Sequence, residues 1–307
     1  MSASGGRDAP GLRKGSSVLI ARVIAEPAGL SPQLDALLEA LSDHGPADAR
    51  EIDGGVIEIA AEGVDVAVLR MVIDTHLGKT DALIAPHRPQ LPRLFISDMD
   101  STMISAECID ELADFAGLKP QIAAITERAM QGELDFREAL RERVALLKGL
   151  SQDAIAQCLA ERIAPMKGAR ILVQTLKAKG CRSVLVTGGF HQFADPVAEQ
   201  LGFERVVGNR LEVADGVLTG GLVGPISDSA TKKATLVEEL EALGEKAHVL
   251  ATGDGANDIP MIEAAHYGVA FEAKPKARAA ANGWVDRGDL TSVLRLLGVA
   301  EKDWVLD

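Results

Sequence analysis

Apolar and polar positions follow two different rhythms along this chain. Near the N-terminus, SVLIARVIA reads as a strand and LSPQLDALLEALSDHG as a helix whose Leu34, Leu37, Leu38 and Leu41 share one face. GGVIEIAA supplies a second strand, VDVAVLRMVIDTHLG a second helix, TDALIAPH a further strand, and ADAREI an extra strand between the first helix and GGVIEIAA. The resulting β-α-β-β-α-β order predicts an α+β, ferredoxin-like domain over residues 16–89. APHRPQLPR then carries three prolines in nine residues, which breaks both rhythms and places a linker and domain boundary near Pro89.

Residues 90–307 alternate short apolar runs with helical patterns. RLFIS, CRSVLVTGG, RVVGN, AHVLATGDG and YGVAF are strand candidates; ARILVQTLKAKG, TKKATLVEELEALG and NDIPMIEAA are the helices between them. Strands joined by crossover helices predict an α/β, Rossmann-like doubly wound parallel sheet, with ligands bound outside the carboxyl ends of its strands. Three runs end there in polar residues: Asp98 and Asp100; Thr187 with Gly188 and Gly189; and Asp254 with Gly255, Asn257 and Asp258. Residues 104–165 interrupt this alternation with helix patterns alone. Ile109, Leu112, Ala113 and Ala116 form one face, Phe136, Leu140, Val144 and Leu147 another. A simple crossover needs far less chain, so the surplus predicts an inserted helical cap able to exclude water from a reaction.

Composition narrows the function classes. A formal net charge of -13 over 307 residues argues against a nucleic-acid or membrane-surface binder, which needs basic patches. An anionic substrate must then be met by local positive charge. Cys108, Cys158 and Cys181 are odd in number and widely spaced, the pattern of reduced thiols in a cytoplasmic protein. Residues 1–15 are polar and Gly-rich with no apolar core, so a disordered tail and a soluble protein are expected.

The DMD turn raises a physical question, because two like charges so close are unfavourable unless a cation sits nearby. Asp98, at a strand end, is placed to act as nucleophile toward phosphorus, and Asp100 to protonate the leaving oxygen and then deprotonate water. Asp254 from GDGAND completes an oxygen-rich Mg²⁺ site that answers the question. Lys232 can neutralise phosphoryl oxygens, while the Thr187 hydroxyl and Gly188 amide bind the same group. Each element also has an ordinary reading. Paired acids in turns are commonly solvated, TGG serves as a strand-to-helix turn, GDGAND could be a hairpin turn or calcium loop, and Lys232 with Lys233 a solvated helix start. Their occurrence together, in this order and at element ends, favours chemistry.

DMDST, VTGGF, the lysine of SATKKATL and GDGANDIPM resemble the motifs of the haloacid dehalogenase superfamily of aspartate-based phosphotransferases. DMDSTMISAECIDELADFAG, ITERAMQGELDFREALRERVALLKGL and VTGGFHQFADPVAEQLGF are similar to its phosphoserine-hydrolysing branch, the resemblance running from about Leu94 to Leu297. It implies Mg²⁺-dependent hydrolysis of O-phospho-L-serine, the last step of serine biosynthesis, through an aspartyl-phosphate. Asp98 is then the nucleophile, Asp100 the acid and base, and Mg²⁺ is held by Asp98, the Asp100 carbonyl and Asp254. The resemblance assigns Glu107 to the substrate ammonium, Arg143 to its carboxylate, Met130 and Phe136 to an apolar wall, Asn257 to substrate or phosphate, and Asp258 to support of the metal shell. Thr187 stands where serine is more usual, keeping the hydroxyl. Lys232 fits its motif better than Lys233 by spacing from Asp228. The N-terminal domain resembles ACT-like regulatory modules, which implies a homodimer and binding of an amino acid such as serine. A phosphatase for another small phosphomonoester, or a catalytically silent ligand-sensing module, are the alternatives.

Overall fold

The computed structural model describes residues 18–26, 28–130, 133–244 and 247–306, so the tail expected over residues 1–15 lies outside the described residues. The N-terminal part runs β1 (Val18–Ile24), α1 (Leu30–Ser42), β2 (Ala47–Ile52), β3 (Val56–Glu62), α2 (Val66–Leu77) and β4 (Asp81–Ala85). β1 pairs antiparallel with both β3 and β4, and β2 pairs antiparallel with β3. Strand alternation puts Leu19, Ala21 and Val23 into one core with Leu37 and Leu41 of α1 and Leu69, Val72 and Ile73 of α2. Arg22 and Glu58 consequently fall on the opposite face. The Asp65 side chain starts α2 by accepting the Ala67 amide at 2.8 Å.

Beyond Pro89 come β5 (Leu94–Ser97) and four helices, α3 (Cys108–Phe115), α4 (Lys119–Met130), α5 (Phe136–Leu146) and α6 (Gln152–Arg162). The chain continues through α7 (Ala169–Ala178), β6 (Arg182–Phe190), α8 (His191–Leu201), β7 (Arg205–Asn209) and a hairpin of β8 (Leu211–Ala214) and β9 (Val217–Leu222). It closes with α9 (Ser229–Leu243), β10 (Val249–Gly253), α10 (Ile259–Ala264), β11 (Tyr267–Phe271), α11 (Pro275–Ala280), β12 (Gly283–Val285) and α12 (Thr291–Leu297). No helix among the described residues is long and apolar enough to cross a membrane.

Pairing joins all strands except the β8–β9 hairpin into one ten-stranded sheet, in the order β2-β3-β1-β4-β12-β11-β10-β5-β6-β7. Neighbours are parallel from β12 to β7, giving the fold its α/β character. The joint is β4 against β12, antiparallel, with Leu83 opposite Gly283 and Ala82 opposite Trp284. Glycine at 283 eases this close approach, because a Cβ there would lie 2.9 Å from Leu83 Cδ1 and 3.1 Å from the Ala82 carbonyl oxygen. Buried Asp81 reinforces the joint by accepting the amides of Asp286 and Arg287, each at 2.9 Å, and the Ser292 hydroxyl at 2.7 Å. Sequence periodicity gives no sign of β12: three residues, GWV, are too few to show a rhythm.

Candidate active site

Register assembles the site. β5 is buried throughout, and Ser97, its last residue, lies opposite Thr252 of β10 and Leu185 of β6. Parallel strands in that register bring Asp98 and Asp254, just past the ends of β5 and β10, together with Thr187, two residues beyond Leu185 in β6. Local bonds hold Asp98: its amide donates to the Thr252 carbonyl at 3.0 Å, its carbonyl accepts the Ser97 hydroxyl at 2.7 Å, and Thr252 in turn donates to Ser97 at 2.7 Å.

Asp100 faces the inserted helices. One carboxylate oxygen accepts the Cys108 amide at 2.9 Å as α3 begins, and the other accepts the Thr187 hydroxyl at 3.3 Å. Thr187 also accepts the Gly189 amide at 2.8 Å, so its hydroxyl is oriented from both sides. Lys232 is carried by α9, which is started by a reciprocal cap between Asp228 and Thr231. Its ammonium is buried and lies 2.6 Å from both Asp98 Oδ1 and Asp258 Oδ1, whereas Lys233 is exposed. The structure therefore brings Lys232 to the cluster and leaves its neighbour outside. Asp258 uses its other oxygen to accept the amides of Asp254 at 3.2 Å and Gly255 at 3.0 Å. A Cβ on Gly253 would come within 2.5 Å of Asp258 Cγ, so glycine is what lets the acid fold back beneath the turn.

A cavity of about 260 Å³ opens over these strand ends. Asp98, Asp100, Thr187, Gly188, Asp254 and Asn257 line it from the sheet, and Glu107, Phe136 and Arg143 from the cap helices. Glu107 accepts the Ser101 hydroxyl at 2.9 Å. The Phe136 ring lies close over Gly188, where a Cβ would be 3.3 Å from its Cζ. Arg143 is half-buried and donates to the Ala139 carbonyl at 3.3 Å. Met130 ends α4, and its side chain lies outside the described residues. One cation that sequence reasoning missed also lines the cavity: Lys274, with Nζ 3.6 Å from Asp254 Oδ2. Its signal was topological, since it follows the carboxyl end of β11, the next strand along the sheet.

Electrostatics distinguish this cluster from an ordinary set of ion pairs. Burial, the neighbouring charge of Asp258 and that of Asp100 push the Asp98 carboxyl well above its ordinary value, and the opposing pull of Lys232 does not restore it. Burial and the charge of Glu107 raise Asp100 to about 6. Burial, reinforced by Asp258 and Glu107, raises Asp254 against the opposing charge of Lys274. Burial pulls Lys232 downward, but Asp98 and Asp258 outweigh it and hold the ammonium above its usual range. The acids thus carry more negative charge than the side chains around them offset. Asp98, Asp254 and Asp258 each present an oxygen within 4.8 Å of the others. A buried all-oxygen donor set with unrelieved repulsion suits a hard divalent cation.

The haloacid dehalogenase-like hydrolase family profile matches residues 95–263. A phosphoserine phosphatase from Albidiferax ferrireducens is 45% identical over 210 residues, covering 66% of this chain and 89% of the relative. One from Streptomyces coelicolor is 42% identical over 254 residues, covering 80% of this chain but 61% of that longer relative. Among solved structures, a probable phosphoserine phosphatase from Vibrio cholerae superposes with a TM-score of 0.73 at 32% identity, covering 94% of this chain and 88% of its own. The chain belongs to the phosphoserine phosphatase family of haloacid dehalogenase-like hydrolases.

Proposed function

We infer that this protein hydrolyses O-phospho-L-serine to L-serine and phosphate through an aspartyl-phosphate on Asp98. The observation that carries the reading is the two-ended cavity. Asp98, Asp100, Asp254 and Thr187 gather at its floor, with Lys232 paired to Asp98, while Glu107 and Arg143 face it from the cap. A phosphate fits the floor, and an α-ammonium with an α-carboxylate fits the cap pair, because Arg grips a carboxylate with two parallel donors. A sugar phosphate would leave both cap charges unmatched.

In this scheme an Asp98 oxygen attacks phosphorus and the bond to the serine oxygen breaks. Asp100, whose raised value suits it to hold a proton near neutrality, delivers that proton to the departing oxygen. It then accepts a proton from the water that attacks the acyl-phosphate, freeing phosphate and regenerating Asp98. Thr187 and the Gly188 amide orient the phosphoryl oxygens, and Lys232 offsets their charge. Asn257 touches the substrate, and Phe136 closes the apolar wall. We assign the divalent cation as Mg²⁺, held by Asp98, Asp254 and the Asp100 main-chain carbonyl; when bound it neutralises charge between the acids and the phosphate. Asp258 supports that shell, its oxygens already engaged by Lys232 and two amides.

The test is a phosphate-release screen over phosphoserine, phosphothreonine and sugar phosphates with and without magnesium. Release from phosphoserine alone, dependent on the metal, is expected. Preference for a sugar phosphate would replace this reading with that of another phosphomonoesterase, and no release from any substrate would favour a silent sensing module.

We further propose that the N-terminal domain, residues 16–89, acts as an ACT-like module that pairs two copies and binds an amino acid such as serine. Deleting it would strip β4 from β12, so the intact chain is the better subject. A monomeric mass by sedimentation, with activity indifferent to added serine, would remove the idea. Three unpaired thiols buried at Cys108, Cys158 and Cys181 are in keeping with a reducing cytoplasm.

A further inference from the structure

We propose that Lys274 is a positioning residue that holds the Asp254 carboxylate in the metal-free protein and must give it up when the divalent cation binds, so that it sets cation affinity. The inference deepens the proposed function and rests on Asp254 as a metal ligand.

Lys274 approaches Asp254 twice. Its amide donates to the Asp254 carbonyl at 2.9 Å, and its Nζ lies 3.6 Å from Asp254 Oδ2 with 69% of the side chain exposed. Lys232 cannot play this part, because both Asp98 and Asp258 hold it in the interior. Lys274 is therefore a cation on the solvent side of the acid, tethered by its own backbone and free to swing its stem outward. An ammonium and a divalent ion at the same carboxylate repel one another, an effect softened but not removed by solvent.

The tether continues into the N-terminal half. Lys274 caps α11, and the turn before it carries Glu272 at φ 41°, a conformation uncommon for a residue with a Cβ. At the other end of α11, Arg70 of α2 donates to the carbonyls of Arg278 and Ala279, each at 2.8 Å. Arg278 pairs with Asp74 of α2 at 2.8 Å and lies 3.8 Å over the buried Trp284 ring. α2 thus clamps the helix whose leading residue touches the active site. A groove of about 1070 Å³ runs beside this clamp, but Arg70, Asp74 and Arg278 in its wall are already paired with one another or with α11.

The test is a calorimetric titration of Mg²⁺ into the full chain without substrate, on the wild type, Lys274→Met, Arg70→Met, the double variant and Asp254→Asn. Lys274→Met should bind Mg²⁺ about 3- to 10-fold more tightly. Arg70→Met should tighten it by a smaller factor, and should have no effect once Lys274 is gone. Unchanged or weaker binding by Lys274→Met overturns the proposal, and additive effects in the double variant overturn its link to α2. Should Lys274→Met fail to fold, Lys274→Gln removes the same charge. Asp254→Asn separates the two levels of the argument. If it keeps Mg²⁺ affinity, the ligand assignment fails; if it loses affinity while Lys274→Met is unchanged, only the role of Lys274 fails.

Discussion

Glu58 on β3 of the N-terminal domain and Asp98 just past the end of β5 are carboxylates carried by strands of one sheet, each only 4% exposed. Burial alone would raise both. Around Glu58, however, three guanidiniums converge: Arg50 at 2.6 Å, Arg88 at 3.0 Å and Arg22 at 3.4 Å. Burial pushes Glu58 up, and hydrogen bonds from Arg50 and Arg88 with the charges of Arg88 and Arg22 outweigh it, so the carboxyl sits below its ordinary value. Asp98 shares a single lysine with Asp258 and has Asp100 for a neighbour, and it is driven upward. Equal exposure therefore goes with opposite outcomes: Asp98 lies deep in the fold, where burial is the largest push and one shared lysine answers it, whereas Glu58 lies nearer the surface among three guanidiniums. A structural carboxylate is over-supplied with partners. A reactive one is left short, and the deficit is what a divalent ion and a phosphoryl group can fill.

That contrast can be broken by experiment. The largest effect is expected for Asp98→Asn, which should lower turnover of phosphoserine by on the order of 10⁴-fold or more while leaving binding intact. Retained phosphate release would sink the covalent scheme. In the metal-free protein the same substitution should cost no stability or raise it, because a neutral group replaces one whose charge is disfavoured. Lys232→Met removes the one buried cation from Asp98 and Asp258 and should destabilise the metal-free protein by about 3–5 kcal/mol in denaturant titrations. A loss below about 1 kcal/mol would show that the acids were already neutralised by protons. Arg143→Ala should raise the Michaelis constant for phosphoserine about 10- to 100-fold, the value of a charge-assisted contact, with a smaller change in kcat. An unaltered constant would tell against a carboxylate contact.

Glu58→Gln is the smallest and sharpens the comparison most, since it should destabilise where Asp98→Asn does not. Arg50 and Arg88 are more than half exposed, so the cost should stay near ~1 kcal/mol at neutral pH. A carboxyl held below its unfolded value contributes stability above that value and loses it as pH falls through the folded one. The gap between wild type and Glu58→Gln should therefore be full at neutral pH and be lost as pH falls through the lowered value of the folded Glu58 carboxyl. A gap that widened toward acid would reverse the sign assigned to Glu58.

Much of the site was legible in the residues themselves. Asp98, Thr187 and Asp254 each follow an apolar run, and in a parallel sheet such ends converge, so linear order sufficed to group them. The alternation in β1 and β3 likewise announced which face would be buried against α1 and α2.

What the chain's own pattern determined is local: where strands stop, which helix faces are apolar, and which acids and lysines stand at those boundaries, because periodicity and turn chemistry act over a few residues. What only the tertiary structure decided depends on residues far apart. It seated Lys232, already favoured by its spacing from Asp228, between Asp98 and Asp258, and it fused the N-terminal domain to the rest through the short β12. It also set Lys274 against Asp254 and surrounded Glu58, but not Asp98, with arginines. Charge at a buried site is a sum over neighbours in space, and those neighbours are fixed only once the strands are in register.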